Sequence, residues 1–253
     1  MSTTKIALVT GGSRGLGKNM AQHLAQKGLD VVITYHSKQA EAEAVVGELT
    51  AMGRRAAALQ LDASDTKTFG AFFEQLKATL RDTFDADRFD FLINNAGTGL
   101  YAPFAQTTEA QFDQIIDIHF KGPYFLTQQA LPLLNDGGGI VNISSGLTRM
   151  ANNMSSAYAS AKTAVETLTR YQAKELGERR IRVNVVAPGA IETDFGGGRT
   201  RDNKEVNAHL ASITTLGRVG LPDDVGPVVA FLCTDDARWI DAQRIEVSGG
   251  QAI

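Results

Sequence analysis

From Lys5 to Val247 short apolar runs alternate with longer segments of helical period, and the runs end in small or polar residues. The runs are Lys5–Thr10, Asp30–Tyr35, Arg55–Leu61, Phe89–Ile93, Gly139–Ser144, Ile181–Ala187 and about 243–247. Short runs of this kind fit strands buried on both faces, as in a parallel sheet. Helical segments over 39–51, about 65–80, 157–177 and about 222–233 separate them, which predicts βαβ units. Right-handed crossovers then set helices on both faces of the sheet. The fold class expected is α/β, as one domain over residues 1–253, because no repeat, low-complexity tract or linker interrupts the pattern. The segment 108–134 reads as helical, with Pro123 and Pro132 bending or starting helices. The stretch 190–205 loses periodicity around Gly196, Gly197 and Gly198. It reads as a mobile lid that reaches to about 210.

In such a sheet the ligand crevice lies at the carboxyl ends of the strands. The first strand feeds Gly11-Gly-Ser13-Arg14-Gly15-Leu16-Gly17 and then a helix with Leu16, Met20 and Leu24 on one face. Glycines permit the turn, and the helix N-terminus offers free N–H groups to a phosphate. The spacing is G-x-x-x-G-x-G, unlike the commoner G-x-G-x-x-G fingerprint. Other polar motifs, at 35–38, 62–63 and 94–97, also fall at strand ends.

Tyr158 and Lys162 stand four apart at the start of a helix and share a face. An ammonium beside a phenol lowers the pKa of that phenol toward a usable range. Ser145, at the end of the fifth strand, can offer its hydroxyl to the same substrate oxygen. The trio suits proton transfer to or from a carbonyl or alcohol oxygen, although Y-x-x-x-K alone is a common pattern.

Composition narrows the partners. The chain has 253 residues and a formal net charge of -3, which gives no electrostatic case for nucleic acid or an anionic membrane. No apolar run approaches the ~20 residues a bilayer requires. One cysteine, Cys233, excludes an internal disulfide, fits a reducing cytosol and reads as a core thiol. Met1-Ser-Thr-Thr-Lys-Ile enters the first strand directly, which reads as a chain without a signal peptide. The expectation is a soluble, cytoplasmic protein with no metal at its site.

Taken together, Thr10–Gly17, Asp62, Asn94–Gly97, Ser145, Tyr158/Lys162, Pro188-Gly189 and the ending Glu246–Gly250 resemble a short-chain dehydrogenase/reductase. The pattern is similar to that of 3-oxoacyl-carrier-protein reductases and spans Lys5 to Gly250. The resemblance implies a Rossmann-like fold with a seven-stranded parallel sheet and a nicotinamide cofactor across its carboxyl edge. It implies that Tyr158 is the general acid in reduction and the base in oxidation. Ser145 would orient the substrate oxygen, and Lys162 would lower the tyrosine pKa and bond the nicotinamide ribose. Asp62 and Ala63 would contact adenine, and Asn95, Ala96 and Gly97 the ribose on the adenosine side. Pro188 and Gly189 would border the cofactor, with Ile191 and Thr193 at its carboxamide. Two residues have simpler roles open to them: Asp62 as a cap for the next helix, Asn95 as a tie between strands.

One catalytic position departs from the family pattern: His119 stands where relatives usually have an asparagine that holds a water in the proton path. Neutral imidazole can also donate and accept at once, so a supporting role is expected.

The end of the second strand reads Thr34-Tyr35-His36-Ser37-Lys38, with no acid to bond a ribose 2′-OH. Arg14, with His36, Ser37 or Lys38, is expected to hold a 2′-phosphate, so NADP(H) is expected over NAD(H). The function expected is an NADP(H)-dependent carbonyl reductase or alcohol dehydrogenase. The alternatives are a non-enzymatic cofactor-binding protein and a reductase of C=C or C=N bonds. Leu147 to Ser156 and the lid are expected to line the substrate pocket, with Tyr101, Met150, Met154 and Phe195 as its apolar part; Arg149 reads as a solvated side chain rather than a contact for an acidic substrate. The resemblance implies a homotetramer, or failing that a dimer, through the helices at about 108–134 and 157–177, which carry small residues such as Ala159, Ala161 and Ala164.

Overall fold

The computed structural model describes residues 4–253, so the reading of Met1 to Thr3 as a direct lead into the first strand lies outside it. Seven strands form one sheet: β1 (Ile6–Val9), β2 (Asp30–Tyr35), β3 (Ala56–Gln60), β4 (Phe89–Asn94), β5 (Leu134–Ile143), β6 (Arg182–Pro188) and β7 (Arg244–Val247). Their order is β3-β2-β1-β4-β5-β6-β7, and every pairing is parallel. This is the Rossmann-like α/β domain expected. The chain reverses direction across the sheet between β1 and β4, which opens a crevice at their carboxyl ends.

Helices cover both faces because the strands are apolar on both. On one face α1 (Gly15–Gln26), α2 (Gln39–Ala51) and α9 (Pro222–Leu232) bury Met20, Leu24, Val45 and Val229 against Val9, Ile33 and Ile93. On the other, α3 (Phe69–Phe84), α5 (Gly122–Ala130) and α6 (Ser156–Leu176) bury Phe69, Leu76, Leu126 and Ala173 against Leu8, Leu92 and Val183. Cys233 sits in the first of these cores, where burial pushes its thiol up to about 12, as suits an inert packing residue. Among the described residues no helix is long and apolar enough to cross a membrane.

Three stretches differ from the expectation. The helix placed at about 65–80 starts later, because Asp65 accepts from the amide of Lys67 and sets a 3-10 turn, Thr66–Thr68, ahead of α3. The segment 108–134 is helical as read, with Pro123 and Pro132 at the starts of its later parts, but its helix type changes along the way. A capping box at Thr108 opens α4 (Glu109–Ile116), a π turn follows over Asp117–Lys121, and α5 ends in a 3-10 turn, Leu131–Leu133. Pro123, at the start of α5, has no N–H to return to the preceding turn, and Gly122 beside it packs close to the loop after β3: a Cβ there would lie 2.0 Å from the carbonyl oxygen of Ala63. Strand β5 then begins at Leu134, with a register shift opposite Phe89/Phe91.

The third stretch is 190–210, expected to be irregular. Gly196, Gly197 and Gly198 all take left-handed φ and turn the chain into two short helices, α7 (Arg199–Asp202) and α8 (Lys204–Ser212). Asn203 caps α8 by accepting from the amides of Glu205 and Val206. The lid is therefore a folded element, and its helices are too short and polar to show a period in the sequence.

Candidate active site

The glycine turn after β1 is built by close approach. A Cβ on Gly17 would fall 2.1 Å from the carbonyl oxygen of Gly11, which itself has φ +67. Only glycines let the turn fold back onto the start of α1, whose free N–H groups face the crevice. Thr10 anchors the neighbouring loop: its hydroxyl accepts from the amides of Asn95 and Ala96, both at 2.9 Å. Asn95 returns the tie, donating from Nδ2 to the carbonyl of Thr10 at 2.9 Å. In this structure the Asn95 side chain joins β1 to β4, while its backbone borders the crevice.

The crevice has a volume of about 1100 Å³, at the top of the ~300–1,000 Å³ range of small-molecule sites, which suits an elongated ligand. It brings together every candidate catalytic and cofactor-binding residue the sequence pointed to. One end is formed by Gly11, Ser13 to Gly17, Tyr35, His36 and Ser37. Asp62 and Ala63, then Asn95 to Gly97, continue the wall, and Pro188, Gly189, Ile191 and Thr193 close it opposite. His119, Ser145, Tyr158 and Lys162 lie at the other end.

Asp62 does not cap the following helix, a task that falls to Asp65. Its Oδ1 accepts from the amide and hydroxyl of Ser64, at 2.9 and 2.6 Å. Burial opposes its ionisation, but the Ser64 bonds and the nearby His36 outweigh that and hold the carboxyl below its ordinary pKa. His36 Nε2 lies 3.6 Å from Asp62 Oδ2, so an acid does border this end, contributed by the loop after β3.

At the other end, Ser145 leaves β5 in extended conformation (φ -158, ψ 149). Its Oγ accepts from the amide of Leu147 at 3.2 Å, which leaves the hydroxyl proton free to donate. Tyr158 and Lys162 share a face of α6, with Nζ 5.8 Å from the phenol ring centroid. Lys162 is 5% exposed, and burial pulls its pKa down to about 7. The expected lowering of the Tyr158 pKa by this lysine does not appear. Burial raises the phenol above its ordinary value, and a hydrogen bond to Ser145 opposes the rise only in part. The reason is geometric: the Lys162 ammonium donates to the carbonyl of Ile143 at 2.7 Å, away from the phenol.

His119 lies in the π turn, 1% exposed, with its ring edge-on to Tyr158 at 4.9 Å between centroids. Nε2 lies 2.6 Å from the carbonyl oxygen of Thr98 and 3.3 Å from the amide of the same residue, and the shorter contact assigns the proton to Nε2, which donates it to that carbonyl. Nδ1 is then a bare acceptor, and among the described residues it has no partner. Burial first, then the charge of Lys162, push this imidazole down to about 3, against the weaker pull of the Thr98 carbonyl. His119 is neutral at physiological pH.

The substrate end has aromatic walls. Phe195 of the lid leans over Tyr158 at 5.9 Å, and Arg199 lies 5.8 Å over the ring of Tyr101. Met150 and Leu147 line the crevice, but Met154 does not. Arg149 is also absent from the lining: its Nη1 bonds Glu246 at 3.3 Å. Arg199 and Leu210 come from the lid, as expected, whereas Gln114 and Ile118 line the crevice without a signal in the sequence, since both sit on helical turns away from the strand-end motifs.

A family model described as enoyl-(acyl carrier protein) reductase matches residues 11–252. An uncharacterised oxidoreductase of Methylorubrum extorquens is 39% identical over 246 residues, 97% of each chain. A hydroxynaphthalene reductase-like protein of Metarhizium brunneum is 35% identical, over 97% of this chain and 94% of that one. Among solved structures, the angucycline C-6 ketoreductase LanV with bound NADP superposes with a TM-score of 0.94 at 35% identity, covering 99% of this chain and 96% of that one. Fold and crevice thus define an oxidoreductase with a dinucleotide-type cleft. The chain belongs to the short-chain dehydrogenase/reductase family.

Proposed function

We propose that this enzyme uses NADPH to reduce a ketone to a secondary alcohol, and runs the reverse reaction when product accumulates. The observation that carries the reading is the convergence of Ser145, Tyr158 and Lys162 at one end of a crevice whose other end is a glycine cradle. Residues 11–17 would hold the pyrophosphate on the free N–H groups of α1. Arg14, His36 and Ser37 would take the 2′-phosphate, Asp62 and Ala63 the adenine, and Asn95 to Gly97 the adjoining ribose. Pro188 and Gly189 would border the far half, with Ile191 and Thr193 at the carboxamide. The cofactor, when bound, supplies the hydride. The protein does the rest. Ser145 holds the carbonyl oxygen by a hydrogen bond from its hydroxyl, and Tyr158 transfers the single proton that this oxygen takes up as the alcohol forms. Lys162 would hold the nicotinamide ribose and, with its ammonium turned from Ile143, would draw the phenol toward ionisation. His119 Nδ1 accepts from a water on the path that returns a proton to Lys162.

The substrate we favour is a ketone on or beside a flat aromatic ring system. The aromatic walls of Tyr101 and Phe195 support this, as do the named activities of the angucycline ketoreductase and the hydroxynaphthalene reductase-like relative. A second reading, reduction of a C=C bond, has the description of the matched family behind it. The reading includes a cytoplasmic homotetramer.

Purified protein mixed with NADPH and a panel of fused-ring ketones, 3-oxoacyl thioesters and enones tests all of this by loss of NADPH absorbance. Alcohol formed from a fused-ring ketone is the expected result. Saturated product from an enone alone would move the reaction to the C=C bond. NADPH binding with no turnover on any member would favour a non-enzymatic binder.

A further inference from the structure

The face of α6 that presents Tyr158 and Lys162 continues one turn further, to Glu166. One oxygen of that carboxylate, Oε1, gathers three donors: Ser144 Oγ at 2.7 Å, Thr148 Oγ1 at 2.8 Å and Arg244 Nε at 2.8 Å. Arg244 comes from β7, and its Nη2 also reaches Thr148 Oγ1 at 3.0 Å and the carbonyl of Ser145 at 3.5 Å. Its Nη1 pairs with Glu246. The Glu166 and Arg244 side chains are only 13% and 20% exposed.

Removing such a pair from water costs about as much as the attraction returns, so stability alone does not account for it. Its bonds converge instead on one place, the exit of β5. Lys162 holds the carbonyl of Ile143, Glu166 holds the hydroxyl of Ser144, and Arg244 reaches the carbonyl of Ser145. Thr148, whose hydroxyl also lies 2.9 Å from the Ser145 carbonyl, links the pair to the turn whose Leu147 amide bonds Ser145 Oγ.

We infer that Glu166 and Arg244 are positioning residues that fix where the Ser145 hydroxyl points relative to Tyr158. Neither need touch substrate or cofactor. A misplacement of ~1 Å at a reacting group can cost ~100-fold in rate, which is the scale on which such a clamp acts. The inference rests on the proposed role of Ser145 in carbonyl reduction.

The test compares wild type with Glu166→Ala, Arg244→Ala, the double variant and Glu166→Gln. Four quantities are read: kcat, NADPH Kd from fluorescence, melting temperature, and hydrogen exchange at the Leu147 amide. Glu166→Ala should lower kcat by roughly 10- to 100-fold, leave the NADPH Kd within about threefold and speed exchange at Leu147. Arg244→Ala should do the same, and the double variant should be little worse than either, because both act on one geometry. Glu166→Gln keeps an acceptor for Ser144 and should recover most of the rate.

Turnover within about twofold of wild type in Glu166→Ala, or kcat and NADPH affinity falling together with the melting temperature, would overturn the inference. Should the alanine variants not fold, Thr148→Val with Glu166→Gln supplies the same comparison. If wild type reduces no carbonyl, the proposed function fails, and exchange at Leu147 still decides whether the clamp exists.

Discussion

A Cβ placed on Gly97 would lie 2.4 Å from Cε1 of His119 and 3.0 Å from its Nδ1, so the imidazole fills the space that a side chain at 97 would need. The two positions are coupled: the glycine of the loop after β4 and the histidine of the π turn share one volume. Gly97→Ala should therefore destabilise the protein by ~1–3 kcal/mol, the usual cost of overpacking. In a His119→Asn background, with a smaller side chain opposite, much of that cost should vanish. A double-mutant cycle by denaturant unfolding measures the coupling, and additive costs would contradict the shared volume.

His119 also makes a pH prediction. Its pKa falls from the ordinary 6.5 to about 3 on folding, because the charged form is disfavoured where it is buried beside Lys162. The unfolded chain then binds the proton more readily than the native one between those two values. The contribution of the group is fully present above pH 6.5 and is lost as the pH falls toward 3. Wild type should lose up to ~1.4 kcal/mol more stability per pH unit than His119→Asn within that window. Unfolding curves at pH 7, 6, 5 and 4 check this, and parallel losses would show that His119 does not stay neutral.

The same residue separates a relay from mere packing. His119→Asn restores a side chain that donates and accepts, and should keep most activity. His119→Ala should lose roughly 10- to 100-fold, the range for a proton-transfer element. Equal kcat in the alanine variant and wild type across pH 6–9 would show that the proton path runs without this side chain.

Cofactor choice is tested at Arg14, which is exposed at the mouth of the glycine cradle. Wild type should show higher kcat/KM with NADPH than with NADH, and Arg14→Ala should narrow the gap mainly through the KM for NADPH. The carboxylate of Asp62, held beside His36, argues for measuring both cofactors, since it adds a negative charge near that end. Similar kcat/KM for the two cofactors, unchanged in Arg14→Ala, would refute the assignment.

Much of the fold was legible because each buried strand is a short apolar run that ends in a motif, as at Lys5–Gly17 and Phe89–Gly97. The crevice residues were legible for the same reason: a parallel sheet gathers all its strand ends on one edge. What could not be read were contacts that depend on packing across the chain. Nothing local in Asp117–Lys121 marks a π turn, although Pro123 just beyond it marks the start of α5. Nothing near Tyr158 reveals that Lys162 bonds the carbonyl of Ile143 in this structure. Glu166 and Arg244 lie on separate elements and meet only in the folded protein.

The central claim is that Tyr158 delivers the proton to a carbonyl oxygen while the cofactor sits elsewhere in the crevice. Tyr158→Phe removes that hydroxyl and leaves the glycine cradle untouched. The measurement is steady-state ketone reduction beside NADPH binding, on the same preparation. The account predicts turnover lost by far more than tenfold, with the NADPH Kd close to wild type. Turnover within about tenfold of wild type, a barrier change of only ~1.4 kcal/mol, would contradict it.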